Sequence, residues 1–119
     1  MSEPVVIWHN PRCSKSRETL ALLREIGVEP EIVEYLKTPP SAGEIRTVLG
    51  RLGIDARGLM RKKEAPYKAL ALGAASVSED DLVAAMAANP VLIERPVVLQ
   101  GDRAALGRPP EAALKILSK

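Results

Sequence analysis

The feature that most constrains this chain is a short apolar run over residues 4–8, Pro4-Val5-Val6-Ile7-Trp8, that gives way first to a helical pattern and then to a second strand-like run. Consecutive apolar residues bounded by polar ones read as a buried strand. From Ser14 the apolar residues fall at helical spacing, with Leu20, Leu23 and Ile26 expected on one face. Gly27 then supplies a residue that tolerates the left-handed conformation on which helices commonly stop. Pro30 to Tyr35 reads as the second strand. Strand, helix and strand in that order predict a right-handed βαβ unit with parallel strands. With no Phe and only 3% aromatic residues, the core has to be built from Leu, Ile, Val, Ala and Met.

The middle of the chain reads as helical. Ser41 with Glu44 three residues on fits a capping box behind Pro39-Pro40, and Ile45, Val48, Leu49 and Leu52 form an apolar stripe closed by Gly53. Short helical or irregular stretches are expected over Arg57–Lys63 and Pro66–Leu72. Ser78 with Asp81 opens a further helix carrying Leu82, Val83 and Met86, which Asn89-Pro90 ends. The last third returns to sheet: Val91–Ile93 and Val97–Gln100 are strand-like, Gly101-Asp102 is a turn, and Ala104–Leu106 reads as the returning hairpin strand. Pro109 or Pro110 fits the first turn of a final helix with Ala113, Leu114 and Leu117 inward. Pro96 cannot donate to a ladder and is expected just outside regular pairing.

A net charge of +2 is too balanced to force binding to nucleic acid or to a membrane surface. Arg61-Lys62-Lys63 with Glu64 beside it, and no interleaved aromatics, fits a solvated face better than a nucleic-acid patch. Met1-Ser2-Glu3-Pro4 is not a basic stretch followed by an apolar one, and no apolar run approaches bilayer-spanning length. A single cysteine rules out an internal disulfide framework and suits a reducing compartment, so the expected address is the cytoplasm.

That cysteine, Cys13, lies where the first strand hands over to the first helix. Unpaired N–H groups and the positive end of the helix dipole favour thiolate there, and Arg12, Lys15 and Arg17 push the same way. The alternative for a lone cysteine is a buried structural thiol; the helix-start position and basic neighbours favour a nucleophile. Any disulfide it forms involves another molecule. His9, the only histidine, has no partners at metal-ligand spacing, so no metal site is expected. It either tunes Cys13 and assists a proton transfer or packs at the strand end. Ser16 either hydrogen-bonds the thiolate or caps the helix. Arg17 either adds positive potential or is simply solvated, and Trp8 reads as core.

His9-Asn10-Pro11-Arg12-Cys13-Ser14-Lys15-Ser16-Arg17 resembles the H-N-P-x-C-x-x-S-R motif of the glutaredoxin-coupled arsenate reductase family. Further blocks resemble that family in the same order: Tyr35-Leu36-Lys37-Thr38-Pro39-Pro40, Leu59-Met60-Arg61-Lys62-Lys63-Glu64, Asn89-Pro90 through Glu94-Arg95-Pro96-Val97-Val98, and Gly107-Arg108-Pro109-Pro110-Glu111. The resemblance spans essentially the whole chain. Ser14-Lys15-Ser16, in place of the Gly-Thr-Ser of the family's best-studied branch, resembles a shorter branch.

The resemblance implies an α/β, thioredoxin-like fold: a mixed sheet flanked by helices, one domain over 1–119 with a helical insertion at about 38–90. It implies Cys13 as the nucleophile, Arg61, Arg95 and Arg108 as the groups that bind and polarise the oxyanion, Asn10 as a thiolate or oxyanion partner, and Pro96 as a cis-proline beside the site. No bound cofactor is implied. It implies arsenate as the substrate, glutathione as the co-substrate and glutaredoxin as the protein partner, and the chain is expected to act as a monomer. Two alternatives stand beside it: an Spx-like RNA-polymerase-binding regulator, whose Cys-x-x-Cys switch Ser16 would break, and a glutathione-linked thiol transferase without arsenate activity.

Overall fold

The computed structural model describes residues 4–94, 96–107 and 109–116. The chain divides into two compact units, residues 1–38 with 95–119, and residues 39–94.

The first unit holds a four-stranded mixed sheet. Strand β1 (Val5–Trp8) leads to helix α1 (Ser14–Glu25), and strand β2 (Glu31–Val33) follows; β3 (Val97–Gln100) and β4 (Arg103–Leu106) form a hairpin. The order across the sheet is β2-β1-β3-β4. As the βαβ pattern predicts, β2 runs parallel to β1, with Ile7 opposite Ile32. β3 lies antiparallel on the other side of β1, with Ile7 opposite Val98 and Trp8 opposite Val97. Gly101 at φ +59° takes the left-handed position that a tight hairpin turn needs. Alternation sends Val5, Ile7 and Val98 to one face, where they pack with Leu20 and Leu23 of α1 and with Ala113. Trp8 and Val97, on the opposite face, are buried as well.

Helix α1 ends as its sequence suggests, one residue earlier than the apolar spacing implies. Gly27 at φ +84° donates to Arg24 O and Val28 donates to Leu23 O, the paired bonds of a Schellman stop. Ile26 is therefore the C-cap, off the helical face, and stays exposed rather than joining Leu20 and Leu23 in the core. The predicted second strand is also shorter, because Tyr35 already belongs to a turn.

The second unit carries α2 (Ala42–Leu52), α3 (Ala56–Leu59), α4 (Ala65–Ala69) and α5 (Glu79–Ala88). Capping boxes form at both expected places, Ser41 with Glu44 and Ser78 with Asp81. The apolar stripes they introduce are buried: Ile45, Val48 and Leu49 on α2; Leu82, Val83 and Met86 on α5.

Two expectations need correction. Val91–Ile93 is not a strand: residues Pro90–Leu92 form a 3₁₀ turn, with Leu92 N–H bonded to Asn89 O and Ile93 N–H to Pro90 O. Pro90 presets the φ that such a turn needs, and Leu92 and Ile93, though adjacent, are both fully buried, which alternation on a half-buried strand would forbid. Only Ile93 keeps sheet character, as an isolated antiparallel bridge to Met60. The final helix is 3₁₀ rather than α over Pro110–Ile116; Ala113 is buried as expected, Leu114 partly so, and Leu117 lies outside the described residues.

Candidate functional site

The loop that carries Cys13 is built by short-range bonds. His9 N–H reaches Val33 O at 2.9 Å, extending the β1–β2 pairing past the last strand residue. The chain then reverses: Cys13 N–H bonds Asn10 O at 3.0 Å, with Pro11 at the position that favours its fixed φ. The Asn10 side chain accepts from Arg12 N–H at 3.0 Å, an Asx turn nested in the first. Asn10 is thus the loop-shaping residue. Cys13 emerges as the N-cap of α1, extended at φ −97° and ψ 123°, and its carbonyl accepts the Arg17 N–H at 3.0 Å. The cysteine is half-buried. From outside, Arg17 Nη1 donates to Pro11 O at 2.9 Å, so this exposed arginine braces the loop.

Ser16 is not the helix cap. It is fully buried, and its Oγ accepts the Asn10 N–H at 3.0 Å and lies 2.6 Å from His9 Nδ1. The hydroxyl therefore ties the first turn of α1 back to the end of β1. His9 is 6% exposed, and burial holds its pKa below the ordinary 6.5; Glu34 opposes that shift, while Arg24 and Arg17 add to it. The neutral imidazole favoured in this way can accept a hydrogen bond from the Ser16 hydroxyl at Nδ1, with the ring's own N–H then at Nε2.

Sheet register brings further pieces to this end of the first unit. Trp8 pairs with Val97 and Val97 with Leu106, so Pro96 precedes β3, and Gly107 follows β4, at the edge from which the Cys13 loop leaves β1. Pro96 is buried, outside the regular ladder as expected, and its carbonyl accepts the Gly107 N–H at 2.9 Å. A Cβ at residue 107 would lie 2.5 Å from Thr19 Oγ1 and 2.6 Å from Pro96 Cγ, so only glycine fits. Arg95 and Arg108, and with Arg95 the isomer of the Arg95-Pro96 bond, lie outside the described residues.

Arg61 belongs to the second unit. It follows α3 on an extended stretch, where its N–H bonds Leu92 O at 2.6 Å and Glu94 N–H bonds Leu59 O at 2.7 Å, flanking the Met60–Ile93 bridge. Its guanidinium is held by two carboxylates: Nε to Glu64 Oε2 at 3.2 Å and Nη1 to Glu94 Oε1 at 3.0 Å. Lys62 and Lys63 beside it are exposed. Sequence reasoning gave Glu64, Glu94, Thr19 and Gly107 no role. Glu64 lies three residues from Arg61, within reach of a turn; nothing local points to Glu94, which meets Arg61 across the bridge.

Among the described residues no group of three or more His, Cys, Asp or Glu side chains could hold a metal ion, and no helix is long and apolar enough to cross a membrane.

Residues 8–116 match the ArsC family. An arsenate reductase of Haemophilus influenzae is 48% identical, with 95% of this chain and 98% of that protein aligned. An arsenate reductase of Escherichia coli strain K12 is 41% identical over 95% of this chain and 80% of its own length. Among solved structures, an arsenate reductase from Vibrio cholerae superposes with a TM-score of 0.95 at 51% identity, covering 98% of this chain and all (100%) of that one. The mixed sheet with its flanking helices is the thioredoxin-like α/β fold of those reductases, and the chain is a member of the ArsC family.

Proposed function

We propose that this protein reduces arsenate to arsenite with a single nucleophilic thiolate and reductant supplied from solution. The observation that carries the reading is the placement of the chain's one cysteine at the N-cap of α1, where the first-turn amides lack intrahelical acceptors. Thiolate is favoured by that position and by the helix dipole.

Bringing arsenate to a thiolate is repulsive: like unit charges ~4 Å apart at an effective dielectric of ~20 repel by about 4 kcal/mol. Arg61, Arg95 and Arg108 offset this on our reading, since arginine stays protonated and offers several fixed donors to a tetrahedral oxyanion. The Cys13 thiolate attacks arsenic and displaces hydroxide or water. Glutathione thiolate then attacks. The arsenic takes two electrons and leaves as arsenite, and the two sulfurs, oxidised together, remain as a Cys13–glutathione disulfide. A glutaredoxin thiolate takes the glutathionyl group and releases Cys13.

His9 and Ser16 hold the loop in shape and tune the thiolate, Asn10 sets the turn that presents it, Arg17 adds positive potential, and Pro96 lines the site. The chain acts as one cytoplasmic, monomeric domain with residues 38–90 inserted in it, and it needs no bound cofactor. A Cys-x-x-Cys switch is closed to it, because Ser16 occupies the second position.

The test is NADPH consumption with arsenate, glutathione, glutaredoxin and glutathione reductase. We expect an arsenate-dependent rate that Cys13→Ser abolishes. A rate equal to that of the Cys13→Ser protein sinks the proposal. Glutathionylation of Cys13 at the same speed with and without arsenate would favour a thiol transferase instead.

A further inference from the structure

We infer that Glu94, with Glu64, is a positioning residue for oxyanion binding: the two carboxylates fix the Arg61 guanidinium and leave its Nη2 as the nitrogen offered to the substrate. The inference rests on the reading of Arg61 as a substrate-binding group. Glu64 takes the Nε–H and Glu94 takes Nη1, while Nη2 has no hydrogen-bond partner among the described residues. The side-on grip, which uses Nε and Nη2 together, is therefore occupied at Nε, and an oxyanion meets Arg61 at Nη2, the nitrogen with both N–H open, with the second Nη1 N–H beside it.

The charge balance argues for geometry over field. The two carboxylates temper the field of the Arg61 guanidinium, so its hold on an anion rests mainly on the direction of its donors. What the fork provides is a fixed donor direction on a long, rotamer-rich side chain. All three side chains are only about a quarter exposed (24% for Arg61 and Glu94, 29% for Glu64), so solvent screens these bonds less than it would a fully exposed pair.

The backbone supports the same view. The Met60–Ile93 bridge with its flanking bonds fixes residues 59–61 against 92–94 and sets Arg61 and Glu94 on one face, diagonally across it. Glu94 is also the residue immediately before Arg95-Pro96. One side chain thus ties the first proposed oxyanion arginine to the chain neighbour of the second.

The test combines arsenate kinetics with protection of Cys13 from iodoacetamide by arsenate, which reads binding without the coupled reductants. We expect Glu94→Ala to raise KM and the half-protecting arsenate concentration about tenfold, with kcat within about threefold, as loss of a charge-assisted bond to a binding group implies. Glu94→Gln, which keeps an acceptor and the shape, should recover most of that loss. In an Arg61→Ala background the Glu94→Ala effect on KM and protection should shrink sharply, because the positioning effect runs through Arg61. An unchanged or lowered KM in both Glu94 variants overturns the inference, and so does a Glu94→Ala effect that persists undiminished without Arg61. If Arg61→Ala itself leaves KM and protection unchanged, the reading of Arg61 falls and the inference falls with it. If Arg61→Ala raises both while Glu94→Ala and Glu64→Ala do not, only the positioning role fails.

Discussion

Replacing Ser16 with alanine isolates the bond that closes the Cys13 loop. The hydroxyl is fully buried and serves two partners, the Asn10 N–H at 3.0 Å and His9 Nδ1 at 2.6 Å, which are themselves 7% and 6% exposed. Alanine removes the oxygen and little volume, so cavity formation contributes little. The Asn10 N–H loses its acceptor in a place that water reaches poorly, at about 1–3 kcal/mol, and the lost pairing with His9 adds about 1 kcal/mol. Together the cost is about 3 kcal/mol, a large share of the stability of a domain this size. An unfolding entropy of ~2.1 cal/mol/K per residue turns this into a fall in Tm of about 12 °C for 119 residues. The assay is a thermal melt followed by circular dichroism, with urea unfolding to check that the slope m is unchanged. Ser14→Ala is the control: Ser14 is exposed on the same helical turn and should shift stability by no more than about 0.5 kcal/mol. A fall of less than about 3 °C for Ser16→Ala would mean that the hydroxyl is not holding the loop to β1, and the account of the site's architecture would be wrong.

Other perturbations test separate steps. His9 is the sole histidine, so its ring protons can be followed by NMR without assignment; its midpoint should lie below 6.5, and one at or above that value refutes the desolvated environment described for it. The sign for stability follows: the unfolded chain takes up this proton as pH drops past about 6.5 while the fold resists it, so the contribution is complete above that pH and is lost as pH falls through the folded-state pKa. His9→Gln should flatten the stability profile over that interval. Gly107→Ala drives a Cβ to 2.5 Å from Thr19 Oγ1 and 2.6 Å from Pro96 Cγ, and should cost about 1–3 kcal/mol by overpacking. Thr19→Ala should then cost less in the Gly107→Ala protein than in the parent, and an unshifted melt for Gly107→Ala would show that the contact is not close.

What the sequence made legible and what it hid divide by range. The capping boxes at Ser41 and Ser78, the stop at Gly27 and the turn at Gly101 all follow from residues within a few positions of one another, and all are present. Ile26 departs from its expected face because the Schellman bonds end the helix just before it, and apolar spacing carries no information about that last residue. Val91–Ile93 departs because a short apolar run is compatible with any buried backbone, and Pro90 selects the turn. The same division runs through the candidate site. The Cys13 loop is written within nine residues, His9 to Arg17, and the bonds described above that shape it join residues of that stretch, with one from His9 reaching out to Val33. Glu94 and Gly107 owe their importance to distant partners, Arg61 across an isolated bridge and Thr19 beneath a hairpin end, which no spacing rule connects. On the function proposed above, this separates two kinds of variant. Changes inside the loop act on the shape and ionisation of the nucleophile, whereas changes at Glu94 act on the group that receives the substrate. The two should therefore appear in different kinetic constants.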